Sequence, residues 1–372
     1  MLCISRFVIM LGTGLYFSVT AASAQRAPAQ KKSEQTPDVR PSYYLDHDTS
    51  YYRSFERYIT VRTYISQKYG GFQPKNPAGA GKFQYYPNTA LTMGVGVTYQ
   101  SISLNIGYGF DFLNNDHEKG KTRYLDVQTH IYGRQWTIDL LGQLYKGYYL
   151  NPKGLAAADL QHYYVRPDLR VNLFGMAAYR LLNPSRFSFR AALLENEQQR
   201  KSAGSWLIGA EFYYGHVKSD SSFLPWLVAG EYPARDLRGI DFFKIGPGVG
   251  YAYTYMLNPN FFVTGSLCAS LSIGYSNEHG IGSGSPRLDA NRGFIYRLVA
   301  GYDQNNWNVN LSLVGNEVLL RGIKNENKYI FSTGNFRITI AKRLKPGKSL
   351  RDKLHPVDKV IENVRGLTPS KQ

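Results

Sequence analysis

A chain of 372 residues can form one large domain or two. It carries 30 tyrosines and 36 glycines but only 19% charged residues, a balance that favours many strands over long helices. No stretch reaches the ~18 consecutive apolar residues that a helical membrane span requires. That leaves a barrel open, because strands that alternate lipid-facing and lumen-facing side chains average out to modest hydropathy.

The chain begins with Arg6, an apolar run from Phe7 to Val19 and the small residues Ala22-Ser23-Ala24. This pattern predicts a secretory signal over 1–24, cut before Gln25. Cys3 would leave with it, so the exported chain would keep only Cys268 and form no intramolecular disulfide. Residues 25–50 hold Pro28, Pro37 and Pro41 among Gln, Lys and Ser and read as a flexible periplasmic linker.

From about residue 51 to 344 the pattern is period two. "YITVRTYI" comes first. In "ALTMGVGVTYQSISLNIGYGFDF" every second residue is large and apolar (Leu91, Met93, Val95, Val97, Tyr99, then Ile102, Leu104, Ile106, Tyr108, Phe110), while Thr, Ser, Asn and Gly fill the other face. Successive side chains of a strand point to opposite faces, so one face suits lipid and the other a lumen. "TRYLDVQTHIYGRQWTIDLLGQLY", "DLRVNLFGMAAY", "FSFRAALLE" and "SWLIGAEFYYGHV" follow. Then come "FLPWLVAG", "FFKIGPGVGYAYTYML", "FFVTGSLCASLSIGY", "GFIYRLVAGY", "WNVNLSLVG" and "YIFSTGNFRITIAK".

Short turns near 100, 133, 183, 259 and 305 alternate with longer polar loops at 70–88, 111–122, 146–165, 196–204, 277–291 and 322–328. That predicts an all-β fold: a closed antiparallel transmembrane β-barrel with short periplasmic turns and longer extracellular loops. It would have about 14 strands, or 12 if "FLPWLVAG" and a second weak element stay outside the membrane, with both termini in the periplasm. Closure follows from the medium, since hydrocarbon cannot satisfy an open strand edge. Aromatic residues beside the short turns (Tyr99, Trp136, Tyr179 with Phe187, Phe261 with Phe262, Tyr302 with Trp307) suggest an interfacial girdle.

At "RYITVRTYISQKYGGF", "PNTALTMGVGVTYQSISLNIGYGF", "QQRKSAGSWLIGAEFYYG" and "IGPGVGYAYTYML" the chain resembles a family of Bacteroidota-type proteins catalogued as domain of unknown function 4421. The resemblance spans roughly residues 45 to 342. It implies a Gram-negative outer-membrane β-barrel and carries over no catalytic or binding residue.

Extending the alternation places Arg62, Asp126, His130, Asp139, Arg170, Arg190, Glu211, Lys244, Arg297 and Arg337 on the inner face. A cation on the lipid face at mid-bilayer would cost about 2–4 kcal/mol, which constrains the register. These charges either pair into ladders that brace an occluded lumen or line a porin-like path that favours anions. A structural or partner-binding barrel without conductance is the second functional reading. A lipid-modifying enzyme is the third, its candidates being Ser276, Asn277, Glu278 and His279, and His216 with Ser219. Neither group carries the order of a hydrolase triad, so the chain is expected not to be an enzyme. No metal or cofactor motif is present.

The net charge is +17, part of it in a basic C-terminal tail, 345–372. No nucleic-acid motif accompanies it. Val357, Val360, Ile361 and Val364 fall on one face of a short helix between Pro356 and Gly366, which suggests docking on a periplasmic partner. The other expected partners are outer-membrane lipids and the barrel-assembly machinery, whose insertion signal would sit internally around "NFRITIAKRL". A monomer is expected.

Overall fold

The computed structural model describes residues 47–75, 83–100, 102–113, 116–226, 236–280, 287–322 and 328–354. The signal over 1–24, most of the 25–50 linker and the expected helix from Pro356 lie outside these residues.

A short strand β1 (Tyr52–Ser54) precedes the wall. β2 (Ile59–Lys75) is followed by the short β3 (Gln84–Tyr86), the hairpin of β4 (Leu91–Tyr99) and β5 (Ile102–Gly109), then β6 (Arg123–Tyr132), β7 (Trp136–Asn151) and β8 (Val165–Leu181). A helix α1 (Phe189–Leu193) and a short strand β9 (Glu197–Gln199) interrupt the series. β10 (Ala203–Lys218), β11 (Gly239–Met256), β12 (Phe261–His279), β13 (Arg287–Gln304), β14 (Trp307–Arg321) and β15 (Lys328–Leu344) complete it.

Thirteen of these strands form one antiparallel sheet. Ten close a hydrogen-bonded ring in the order β2, β3, β7, β8, β10, β11, β12, β13, β14, β15 and back to β2. The closing ladder runs from Lys328↔Lys75 to Leu344↔Ile59. The other three branch from the ring: β4 pairs with β2, β5 with β4, and β6 with β7. β5 and β6 share no ladder, and their Cα atoms stay more than 8 Å apart over nearly all their length. The wall therefore closes through β3 at the long-loop end. Its short-turn half is circled by twelve long strands with a slit between β5 and β6.

Twelve rather than fourteen wall strands has two causes. "FSFRAALLE" is not a strand: the Ser188 hydroxyl accepts the Ala191 amide at 3.1 Å and caps α1, and its Ala-Ala-Leu run favours helix over sheet. The described part of "FLPWLVAG", Phe223 to Trp226, is also not a strand, and Phe223 and Leu224 are buried. Consequently 182–202 is a single long connection at the short-turn end, and the loop expected at 196–204 belongs to it.

The alternation decides which way the wall faces. Val95, Ile106, Trp206, Leu271 and many others stand outward with more than half of their surface exposed. An apolar band of this extent is foreign to soluble monomers. Trp136, Phe261 and Trp307 stand outward near the short turns, whereas Tyr179, Phe187 and Phe262 are buried inside. The expected girdle is thus only partly built from the residues beside the turns.

Candidate functional site

Inside the wall the side chains form three zones. Toward the long loops lies an aromatic core of Phe72, Tyr85, Tyr148, Phe223, Phe242 and Phe331. Phe72 packs edge-on against Phe223 with ring centroids 5.3 Å apart and lies over Phe331 at 5.2 Å. The Tyr85 hydroxyl donates to the Phe223 carbonyl at 2.6 Å, tying two long connections together inside the barrel. A cavity lined by Gly70, Gln143, Tyr145 and Phe331 holds only about 20 Å³, room for about one water.

The middle zone is polar, and most of its charged groups have partners within it. Asp126, from β6, accepts from Tyr145 Oη at 2.5 Å and Gln143 Nε2 at 2.9 Å, and pairs with Lys68 at 3.0 Å. Asp139 pairs with Arg297 and accepts from His130 Nδ1 at 2.6 Å. Glu211 accepts from Tyr179 Oη at 2.5 Å and Ser270 Oγ at 2.7 Å. Lys244 donates to the Arg292 carbonyl at 3.1 Å and lies 5.2 Å from the centroid of the Tyr213 ring. Arg337 sits 4.4 Å over the Tyr64 ring, and its buried Nε has no hydrogen-bond partner among the described residues. Burying a charge without a partner costs several kcal/mol, so inward cations are held by carboxylates, carbonyls or ring faces.

The third zone is a plug at the short-turn end, made by 182–202 and the segment His47–Phe55. β1 pairs with β9, from Tyr52↔Gln199 to Ser54↔Glu197. Four arginines fasten the plug. Arg134, in the turn between β6 and β7, donates to Tyr52 Oη at 3.3 Å and pairs with Glu197 at 3.5 Å. Arg62 of β2 donates to the Leu194 carbonyl at 3.0 Å and pairs with Glu195 at 3.3 Å. Arg190 of α1 donates to Glu56 at 2.5 Å and to the Gln100 carbonyl at 2.8 Å. Arg343 of β15 donates to the Glu195 and Glu197 carbonyls at 2.5 and 3.0 Å, and grips Asp303 with two bonds of 2.6 and 2.7 Å. Glu195 takes a left-handed backbone (φ 55°), uncommon for a residue with a Cβ and affordable only where neighbours over-determine it.

Eight of the ten sequence-assigned residues thus have inward partners as described. Arg170 and Arg190 do not fit the expectation. Arg170 is exposed on the outer face near the long-loop end of β8, because Leu169, Val171 and Leu173 take the inward positions in the aromatic core. Charge alone does not mark the lumen side: the odd positions of β8 face inward from Leu169 to Leu181, and the upper lumen that they line is apolar, so the even-numbered Arg170 faces out. Arg190 is inside, but on the plug helix rather than the wall. Sequence reasoning missed Arg343, Lys68, Tyr145 and the plug acids. Arg343 lay within reach, since it continues the inward series Arg337, Thr339, Ala341 by period two.

The Ser/His candidates separate in space. Ser276 is buried and donates to the Arg321 carbonyl at 2.9 Å. His279 faces outward and pairs with Asp241 at 2.7 Å, and His216 pairs with the same carboxylate. Ser219 donates to the Ser221 carbonyl at 2.7 Å. Each serine's hydroxyl is thus committed to a backbone carbonyl rather than to a histidine.

Among solved structures, the chain is similar to the translocator domain of autotransporter NalP from Neisseria meningitidis, at 8% identity and TM-score 0.30, covering 82% of this chain and 91% of that one. It is also similar to the P. putida toluene transporter TodX, at 7% identity and TM-score 0.20, covering 78% and 91%. A third is an anion-selective porin from Comamonas acidovorans, at 11% identity and TM-score 0.16, covering 77% and 100%. At these scores the likenesses carry no argument about what the chain does. No curated protein matches it. The family model described as "Domain of unknown function (DUF4421)" matches residues 46–343, and the chain belongs to that family.

Proposed function

We propose that this protein is an integral outer-membrane barrel with a sealed lumen, a membrane-seated platform rather than a porin. The outward apolar band supports the membrane setting, because the large apolar side chains of a spanning wall must face the lipid. The observation that carries the sealed state is the plug. Arg62, Arg190 and Arg343 anchor it through carboxylates and carbonyls, and the aromatic core fills the opposite end of the lumen. A solute crossing the barrel would have to break both. Porin-like passage remains the competing reading, and barrel-assembly machinery and membrane lipids are the partners that a platform of this kind requires. Planar-bilayer recording tests the proposal. Purified wild-type protein should give a flat baseline, and Arg343→Met combined with Phe72→Ala, which loosens both barriers, should bring intermittent openings. Steady, stepwise conductance from the wild type would return the protein to the porin class.

A further inference from the structure

Four cations stand side by side on the outer face at the long-loop end. The register pairs Arg123 with Lys146, Lys146 with Arg170, and Arg170 with Lys218, across β6, β7, β8 and β10. All four lie on the outward parity of their strands; Arg123, Arg170 and Lys218 are exposed and Lys146 is half-buried. Directly opposite residues have Cβ atoms about 4.5–5.5 Å apart, and like charges so placed destabilise a sheet. Among the described residues none of the four side chains forms an ion pair or hydrogen bond. Of the nearby carboxylates, Asp168 is engaged by Arg166 and Asp241 by His216 and His279, while Asp220, two residues beyond Lys218, is exposed and pairs with none of the four among the described residues. The row is therefore a line of repulsion that the fold itself does not relieve.

Its position along the strands points to what relieves it. Two residues nearer the barrel centre, the same strands carry Leu125, Leu144, Asn172, His216 and, on β11, Asp241. Two residues further in come Phe174, Tyr214, Phe243 and Tyr275, all outward and exposed. Beyond them lie Met176, Phe212, Ile245 and Ile273. On β8 and β10 apolar, aromatic, polar and cationic positions follow one another outward, and on β6 and β7 Val127, Leu125 and Leu144 lead directly up to the cations; both run from hydrocarbon-facing side chains to charge, as a bilayer crossing does. Arg170 and Lys218 stand four residues beyond the aromatic rings of Phe174 and Tyr214, about 13 Å along the strand, at the level expected of lipid phosphates.

Resting on the membrane reading above, we propose that this row is a binding site for a lipid headgroup that carries two phosphates. The spacing favours two phosphates over one. Strands lie about 4.8 Å apart, so Arg123 with Lys146 and Arg170 with Lys218 form two cationic clefts about 10 Å apart. One phosphate fits one cleft; a sugar-bridged pair fits both. The two arginines offer forked donors that match phosphate oxygens, and Lys146 and Lys218 add compact charge.

The test uses full-length barrel purified in neutral detergent and titrated with diphosphoryl lipid A, monophosphoryl lipid A, phosphatidylglycerol and inorganic pyrophosphate. Diphosphoryl lipid A should bind at least about tenfold more tightly than the monophosphoryl form, consistent with roughly fivefold for each of the two cations of the second cleft. Arg170→Glu with Lys218→Glu should abolish that preference, and Lys218→Gln alone should weaken it. Lys348→Glu with Lys353→Glu, at the other end of the molecule, should leave it unchanged. Equal binding of both lipid A forms, or a preference untouched by the Arg170/Lys218 pair, overturns the site. Pyrophosphate binding as tightly as the lipid overturns the lipid as occupant. Insertion into vesicles is scored separately by heat-modifiable gel mobility. A barrel that inserts but shows no preference defeats this inference alone, whereas one that never inserts defeats the membrane reading beneath it.

Discussion

Replacing Arg343 with Met removes the guanidinium clamp between plug and wall and keeps an unbranched stem in its place. The guanidinium is fully buried and makes five hydrogen bonds: two to Asp303, and one each to the carbonyls of Glu195, Glu197 and Asn305. It also lies 4.4 Å over the Phe55 ring. Met leaves the Asp303 carboxylate buried with Asn308 as its remaining side-chain donor, at 3.0 Å. Breaking a buried pair by removing one partner costs about 3–5 kcal/mol. The three stranded carbonyls raise this toward the upper end, since a buried acceptor left unpaired costs about 1–3 kcal/mol where water cannot reach it. We therefore expect Arg343→Met to lose about 4–5 kcal/mol in urea unfolding from detergent micelles, followed by tryptophan fluorescence. Arg343→Lys should lose less, because it keeps the charge and forfeits the bidentate geometry. Adding Asp303→Asn to Arg343→Met should recover part of the loss, because the orphaned charge disappears with it. A loss under about 1 kcal/mol in the single variant, or strict additivity in the double, would refute the clamp.

Three further outcomes follow from the same geometry. Phe72→Ala should cost about 3–5 kcal/mol in the same unfolding assay, because the ring is wholly buried among Tyr85, Phe223, Tyr329 and Phe331; a change under 1 kcal/mol would mean that the upper lumen is loosely packed. A cysteine placed at Glu118, in a long connection, should react with an impermeant label on intact cells, and one at Asn306, in a short turn, should not; the reverse labelling would invert the orientation. Truncation after Leu354 should leave heat-modifiable mobility unchanged, since the β15 ladders to β14 and β2 are complete by Leu344; loss of the folded band would put the tail inside the assembly signal.

The wall was legible because period two survives wherever one face meets a single medium. In β4 and β5 the outward series Met93, Val95, Val97, Ile102, Leu104 and Ile106 matches the sequence reading residue for residue, as does the two-residue turn at Gln100, whose φ of 51° closes the hairpin. Legibility failed where the lumen changes character. Arg170 was placed inward because charge was equated with lumen, although there the lumen is lined by Leu169, Val171 and Leu173. The plug was missed for a related reason. "FSFRAALLE" alternates well enough to pass for a strand, and the deciding contacts, Ser188 to Ala191 and Arg190 to Glu56, combine a local cap with a partner 134 positions away. Sequence spacing shows the cap only as a weak signal and the long-range partner not at all.

The slit between β5 and β6 bears on how such a wall can change size. Every other neighbouring pair of long wall strands is already zipped to its partner, so an added strand elsewhere would have to break a ladder before making its own. At the slit only the short β3 ladders to β2 and β7, which close the long-loop end, stand in the way. β5 and β6 run in opposite directions and are joined through the long-loop end, so a hairpin spliced into that connection would send one strand back antiparallel to β5 and the next forward antiparallel to β6. The product is a fourteen-strand cylinder with its plug, its arginine clamps and its terminal seam untouched. In this architecture, circumference is a property that one insertion in the 110–122 connection can alter while the rest of the molecule keeps its register.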